Sequence, residues 1–429
     1  MRRAAATLAL AALLAAPSVP TATAGTTATP QVVVFEPGVD VPAATARLES
    51  RHGLRATQRY RYALGGFATR LTATQLSSVA ANAEVDFVAA DTSFSASGTT
   101  AALTGETLPF GVRRIGAATT TSVHLPANVA VAILDTGVDL ANPDLNVSSG
   151  KNCISTTTTS AADDNGHGTN VAGIVGARND GTRVAGVAPG TKLYSVKVLN
   201  AKKTGTLSQI LCGIDWVTAN AAALNIRVAN MSIAGVGAND NNCGNSNNDP
   251  YHRAICRSTA AGVTYVASAG NAKAAFTKTA PAAYPEVLTV TAMNDANGLA
   301  GGAGTWRTCS STEKDDQFGT YSNFAASAAE LQHAIAAPGT CVQSDAKGGG
   351  LSVYTGTSQA APHVAGAAAL CIGSGGSSGP CAGLTPSATI ARVRTDAAAA
   401  ATTANGFLGD PLRPVSGKQF GHLVAAAGY

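Results

Sequence analysis

The sequence predicts an α/β protein, a doubly wound and mainly parallel sheet flanked by helices, preceded by a small α+β unit. Three observations carry that expectation. Short β-branched apolar runs recur between Ala-rich helical stretches at Val129–Leu134, Leu193–Leu199, Val228–Ile233, Val263–Ala267 and Val287–Ala292. Continuous apolar runs of this length suit parallel strands buried on both faces. Ahead of them the pattern is strand, helix, strand, strand, helix, strand, the order of the ferredoxin-like split motif. Finally, 45% of the 429 residues are hydrophobic and only 13% are charged, with a net charge of +4. That balance supplies a large core and excludes a disordered chain. It also leaves no basic stripe to neutralise phosphates, so no nucleic-acid partner is expected.

Taken in order, Met1, Arg2 and Arg3 precede an apolar run from Ala4 to Ala16, then Pro17, Pro20 and the small residues Ala22-Thr23-Ala24. The run is shorter than the roughly 20 residues a spanning helix needs, and its flanks fit a secretory signal peptide over residues 1–24. The expected location is extracellular, with no membrane attachment after cleavage. The small unit follows, with strands at Val32–Phe35, Thr57–Tyr62, Gly66–Leu71 and Val85–Ala89 and helices at Ala43–Glu49 and Thr74–Ala81. It has no Lys and no Cys from Gln31 to Asp91. Thr92–Thr107, rich in Ser, Thr, Ala and Gly, reads as a linker. The domain division is therefore 1–24, 25–100 with an end defined to within about ten residues, and 101–429.

All eight cysteines, Cys153, Cys212, Cys243, Cys256, Cys309, Cys341, Cys371 and Cys381, lie in the last segment, and none has metal-ligand C-x-x-C spacing. An even count in an exported chain favours disulfides. Sequence proximity suggests Cys243 with Cys256, Cys309 with Cys341 and Cys371 with Cys381, which leaves Cys153 with Cys212.

In doubly wound sheets ligands bind beyond the carboxyl ends of the strands, so the residues after each apolar run carry the chemistry. Three motifs stand there or at the start of a helix: Leu134-Asp135-Thr136-Gly137, Asn165-Gly166-His167-Gly168-Thr169 and Gly356-Thr357-Ser358-Gln359-Ala360-Ala361-Pro362-His363. In this order they resemble the subtilisin-like serine proteases, whose triad runs Asp, His, Ser, and the resemblance covers nearly everything after Leu108. It implies a subtilisin-like fold and peptide hydrolysis by Asp135, His167 and Ser358. Ser358 needs a base of near-neutral pKa to become a nucleophile, and His167 supplies one. Asp135 would hold the imidazole tautomer and stabilise the imidazolium without taking the proton. By the same resemblance Asn271 and the Ser358 backbone N–H face the oxyanion.

The resemblance also places an extended peptide along Thr204-Gly205-Thr206 and Ser232-Ile233-Ala234-Gly235. The primary pocket then lies between Ser232, Ile233, Ala234 and Gly235 on one side and the segment from Ala267 through Ala269 and Gly270 on the other. Neither wall carries a charge, so an apolar or small residue is expected before the scissile bond. The first folded unit resembles the family's propeptide, a folding chaperone and inhibitor whose tail, after Asp91, lies product-like in the active site until cut. Asp144 and Asp180 fall where the resemblance places ligands of a structural calcium ion, and no cofactor is required for the chemistry. The implied partners are protein or peptide substrates and the chain's own propeptide, with the mature enzyme a monomer.

Three positions depart from the family pattern: Ala234 for the usual Gly, Gln359 for Met and Asn170 for a second His. They bear on fine specificity and packing. His363 lies five residues beyond Ser358 on one helix and points away from it. His252 and the remaining histidines lack partner spacing and read as surface or packing residues; Asp163-Asp164 reads as a solvated loop and Asp139 as a turn residue. There is no H-E-x-x-H for a zinc peptidase, Ala360 breaks the G-x-S-x-G of an α/β-hydrolase, and His167 argues against relatives that use a carboxylate base. The competing reading is a catalytically inactive secreted binding or inhibitory protein on the same fold. Retention of Asp135, His167, Asn271 and Ser358 favours the enzyme.

Overall fold

The computed structural model describes residues 27–60, 65–90, 99–101, 103–155, 157–306 and 309–429. The expected signal peptide and half of the expected linker lie outside them. The chain divides into two compact units, Met1–Ser95 and Ala96–Tyr429.

The first unit contains β1 (Thr29–Phe35), α1 (Val41–His52), β2 (Gln58–Tyr60), β3 (Gly66–Leu71), α2 (Ala73–Ala80) and β4 (Val85–Ala90). The strands form an antiparallel sheet in the order β2-β3-β1-β4. Asp40 starts α1 by accepting the Ala43 N–H, and Thr72 with Gln75 forms a capping box at α2. Val33, Phe35, Leu48, Phe67, Leu71 and Val79 fill its core.

The second unit is built on seven parallel strands: β5 (Ala130–Asp135), β6 (Val147–Asn152), β7 (Leu193–Lys197), β8 (Ile226–Met231), β9 (Thr264–Ser268), β10 (Val287–Met293) and β11 (Ala334–Pro338). Their order is β11-β10-β9-β8-β5-β7-β6, so the chain winds away from β5 in one direction and then in the other. Helices cover both faces, as the apolar runs require. Val131 and Ile133 of β5 join one core, with residues of α3 (His167–Gly176), α6 (Thr357–Ile372) and α7 (Pro386–Ala400). Ala130, Ala132 and Leu134 join the other, with residues of α4 (Leu207–Asn220) and α5 (Pro250–Ala260). A hairpin of β12 (Val342–Asp345) and β13 (Leu351–Tyr354) leads into α6.

Five of the seven strands coincide with the apolar runs. The other two carry weaker signals: β6 is the polar sequence VSSGKN at a sheet edge, and β11 is AIAAP, whose small side chains are buried nonetheless. The linker expectation is corrected at one point, since Thr99–Ala101 pairs antiparallel with Ser122–His124. Four disulfides join Cys153 to Cys212, Cys243 to Cys256, Cys309 to Cys341 and Cys371 to Cys381. No helix among the described residues is long and apolar enough to cross a membrane.

Candidate active site

Asp135 ends β5 and is fully buried. Its Oδ1 accepts the Thr136 N–H at 2.7 Å and faces His167 Nδ1 at 2.8 Å, while Oδ2 is buried and accepts nothing from the described residues. His167 is the first residue of α3. The close approach of that helix to β5 depends on Gly168, where a Cβ would lie 2.0 Å from the Gly137 carbonyl oxygen. The turn into α3 is organised by Asp163. Its Oδ1 accepts Thr136 Oγ1–H and the N–H groups of Asn165 and Gly166, and its Oδ2 accepts the N–H and hydroxyl of Thr169. Asp163 is therefore a buried structural anion rather than a solvated one, which corrects the expectation for that loop. Asp164 is committed as well, to Lys197 Nζ at 2.7 Å.

Burial of the His167 ring opposes its protonation, but the charge and hydrogen bond of Asp135 outweigh this and hold its pKa above the ordinary imidazole value. His363, by contrast, is fully buried on α6, its Nδ1–H donates to the Gln359 carbonyl, and burial pushes its pKa down to about 4. It is a packing residue.

Ser358 is the second residue of α6 and is partly exposed. Pro362 lies inside the same helix and has no N–H to offer the carbonyl four residues earlier, which is that of Ser358. Ser232, just after β8, fills the vacancy: its Oγ–H donates to the Ser358 carbonyl at 2.7 Å, and Ser358 Oγ–H donates to the Ser232 carbonyl at 3.3 Å. A break in the helical ladder thus ties the candidate nucleophile to a wall of the candidate pocket. The N-terminal turns of α3 and α6 meet through Gln359 Nε2–H, which donates to Asn170 Oδ1 at 3.4 Å. Two of the three departures from the family pattern therefore touch each other.

Asn271 follows β9 after Gly270, whose φ of +100° is left-handed and where a Cβ would lie 2.6 Å from Asn323 Nδ2. Asn271 Oδ1 accepts both the N–H and the hydroxyl of Thr357, each at 2.9 Å. The amide is thereby oriented, and its exposed Nδ2 donates to no atom among the described residues. Asn323 supports this loop from beneath: Nδ2 donates to the Ala269 carbonyl, and Oδ1 accepts the N–H groups of Ala272 and Ala274. Nothing local in the sequence marks Asn323, because its partners lie about 50 positions away.

Ser232 and Ile233 are buried, Ala234 and Gly235 are exposed, and Ser268 Oγ–H bridges to the Ile233 carbonyl. Ala269 and Gly270 are buried, and Gly205 is exposed in the loop before α4. Gly235-Val236 pairs antiparallel with Thr279-Ala280. The loop that follows is anchored by His252, which is buried between Asp240 and Glu286 and stacked on Tyr284. His252 therefore has partners that sequence spacing did not reveal.

Of the two expected metal ligands, Asp144 is fully buried and Asp180 is exposed. Asp144 Oδ1 accepts the Arg178 N–H, and its Oδ2 lies 3.7 Å from Arg183 Nη1 without a hydrogen bond. Asp180 Oδ1 accepts the N–H and hydroxyl of Thr182. Glu106 was missed in the sequence: its Oε2 accepts the N–H groups of Asp180 and Gly181, and its buried Oε1 is unpartnered. Burial and the charges of Asp144 and Asp180 push the Glu106 carboxyl up to about 7. Asp345 is fully buried with both oxygens unpartnered, and burial together with the neighbouring Asp144 raises its pKa. Carboxylates outnumber cations here, but Glu106, Asp144, Asp180 and Asp345 do not bring three ligand oxygens within reach of one ion among the described residues.

A model of the subtilase family matches residues 127–409. Among curated relatives, Subtilisin of Bacillus pumilus is 35% identical over 269 residues, covering 62% of this chain and 84% of its own length. Subtilisin E of Bacillus subtilis (strain 168) is 34% identical over 269 residues, covering 62% of this chain and 61% of its own. Alkaline elastase YaB of Bacillus sp. (strain YaB) is 35% identical over 268 residues, with 62% and 60% covered. A solved structure described as a cold adapted subtilisin-like serine proteinase aligns with a TM-score of 0.51 and 23% identity, over 75% of this chain and 99% of that one.

Proposed function

This chain belongs to the subtilase family and is a serine endopeptidase; from that premise we propose that it is a secreted enzyme made as an autoprocessed zymogen, cleaving peptide bonds through Asp135, His167 and Ser358. The observation that carries the mechanism is the His167–Asp135 pair at 2.8 Å, on a carboxylate with no solvent access. It fixes the proton on Nδ1 and turns Nε2 into the acceptor for the Ser358 hydroxyl proton. Ser358 Oγ attacks the scissile carbonyl, and His167 then returns the proton to the leaving amine. Water repeats the sequence on the acyl-enzyme. Asn271 Nδ2 and the Ser358 N–H receive the oxyanion.

A fluorophosphonate probe should label Ser358, located by peptide mass mapping; an active preparation labelled elsewhere, or not at all, would overturn the assignment. Asn271→Ala should lower kcat by about 10² to 10³ with KM little changed, a magnitude established with subtilisin itself. A loss confined to KM would mean that Asn271 contributes only ground-state binding.

The substrate strand lies along Gly205 and Ser232–Gly235, with the primary residue between that edge and Ala269-Gly270. The uncharged walls favour an apolar or small side chain there. Residues 1–24 direct export, in keeping with the four disulfides. Residues 25 to about 100 form the propeptide, a reading supported by the separate compact unit that ends at Ser95. The mature enzyme acts as a monomer.

Calcium at Asp144 and Asp180, the two positions the family resemblance supplies, serves stability and not the reaction: binding would draw the two carboxylates together and neutralise the buried Asp144. EDTA should lower the melting temperature by roughly 5 °C and speed autolysis, both reversed by added calcium, as expected for a ligand present far above its Kd. Unchanged values in EDTA would remove the site.

A further inference from the structure

Two exposed basic loops flank His167. The first runs from Asn200 to Thr206 and carries Lys202 and Lys203 at its tip. Asn200 fixes the tip, its Oδ1 accepting the N–H groups of Lys202 and Thr204 and the Thr204 hydroxyl, and its carbonyl accepting the Lys203 N–H. Asn165 Nδ2–H donates to the Ala201 carbonyl at 2.8 Å, attaching this loop to the turn that ends at His167. The second loop is the turn between β12 and β13, which carries Lys347. Its Gly348 N–H donates to Asp139 Oδ2 at 2.8 Å, and a Cβ on Gly166, the residue before His167, would lie 3.8 Å from Lys347 Cβ.

All three lysines are exposed, and none forms an ion pair among the described residues. The carboxylates around them are already committed. Asp135 holds His167, Asp163 holds the turn before α3, Asp164 holds Lys197, and Asp139 accepts the N–H groups of Ala141 and Gly348. The buried Asp135 and Asp163 and the half-buried Asp139 keep their negative charge, but the exposed unpaired charges on this rim are the three lysines; at His167 the charge of Lys203 opposes protonation and that of Asp163 favours it. Both loops are hydrogen bonded in place, which holds the backbones of the three lysines beside His167.

Building on the peptidase reading, we propose that Lys202, Lys203 and Lys347 give the enzyme a preference for acidic side chains at the substrate positions adjacent to the primary residue, on either side of the scissile bond. The primary pocket has no charge in its walls and selects by size, while the rim selects by sign. The substrate class is an apolar or small residue with acidic neighbours. Single exposed charge pairs are weak and screened by salt, so the expected preference is about threefold to fivefold per position in kcat/KM at low ionic strength.

The test uses the mature enzyme and internally quenched peptides with a fixed apolar primary residue. Asp, Asn or Lys is placed in turn at each position from three before to two after the scissile bond. The expected order of kcat/KM next to the primary residue is Asp, then Asn, then Lys. Lys203→Glu and Lys347→Glu should each reverse that order on the side served by its loop, and 1 M salt should bring the ratios close to one. Equal cleavage of the Asp and Lys peptides by the unaltered enzyme overturns the proposal, as does a preference that survives both charge reversals or high salt. Turnover of the Asn peptides reports separately on the peptidase reading. Cleavage of these without discrimination by charge leaves that reading intact and removes only the rim; cleavage of no peptide removes both.

Discussion

Ser358→Ala is expected to lower kcat by about 10⁶, the size of loss measured when the triad serine of subtilisin is removed, while leaving the fold almost as stable as before. The two halves of this expectation come from different atoms of one residue. Oγ is the nucleophile, and without it no acyl-enzyme forms; only oxyanion stabilisation and binding remain, worth about 10³ to 10⁴ over water. The backbone carbonyl, which Pro362 leaves without a helical donor, still accepts from Ser232 Oγ, and the substitution deletes just the 3.3 Å hydrogen bond that Ser358 Oγ donates. A bond of that kind contributes about 1 kcal/mol. The measurement is kcat on a fluorogenic peptide beside a thermal melt. The same variant tests self-processing, because intact mass of the secreted chain should show residues from Gly25 onward still attached. Normal trimming of the variant would assign processing to another protease, and undiminished turnover would assign the nucleophile elsewhere.

The parts of this site that the sequence discloses are those whose chemistry is local. Asp135 ends an apolar run, His167 and Ser358 begin small-residue helices, and Asn271 follows a strand, so each position is visible from its own neighbours. What the sequence hides is support from a distance. Asn323 holds the Ala269–Ala274 loop, Ser232 completes the helix that Pro362 interrupts, and Asp163 reaches back to the Thr136 hydroxyl, 27 positions earlier. None of these pairings has a periodicity or a spacing. The same holds for strands: β6 is polar because an edge strand needs only one partner, and β11 is built of small residues that a hydrophobicity pattern weights lightly. Asn170 and Gln359 are each legible as departures from the family pattern. Only the structure shows that they are hydrogen bonded to each other, while Asn170 Nδ2–H is held separately by Ser352, so that changing Gln359 alone would leave Asn170 Oδ1 without its donor.

Asp135→Asn should lower kcat by about 10⁴, the loss found for the same change in a serine protease of unrelated fold, and should move the pH profile in a direction that identifies the cause. In the native protein Asp135 Oδ1 serves two donors, Thr136 N–H and His167 Nδ1–H. An asparagine can keep its carbonyl there, which preserves both bonds but removes the negative charge and buries an NH₂ where Oδ2 finds no partner. It can also turn over, which pairs the NH₂ with Nδ1, forces the wrong tautomer on His167 and leaves Thr136 N–H facing a second donor. Both outcomes impair the base, the first by withdrawing support from the imidazolium and the second by placing a proton on Nε2. They share one consequence for titration. His167 is raised above the ordinary value of about 6.5 because Asp135 outweighs burial. Without the carboxylate, burial and Lys203 lower the pKa, and the charge of Asp163, the smallest of the contributions, raises it too little to offset burial. Since the active form is the neutral ring, kcat/KM of the native enzyme should rise with a midpoint above about 6.5, and that of the variant with a midpoint below it. Profiles from pH 5 to 10 on one neutral peptide separate the two. A rising limb that keeps its midpoint after the substitution would mean that the group being titrated is not His167, and the assignment of the base would have to be given up.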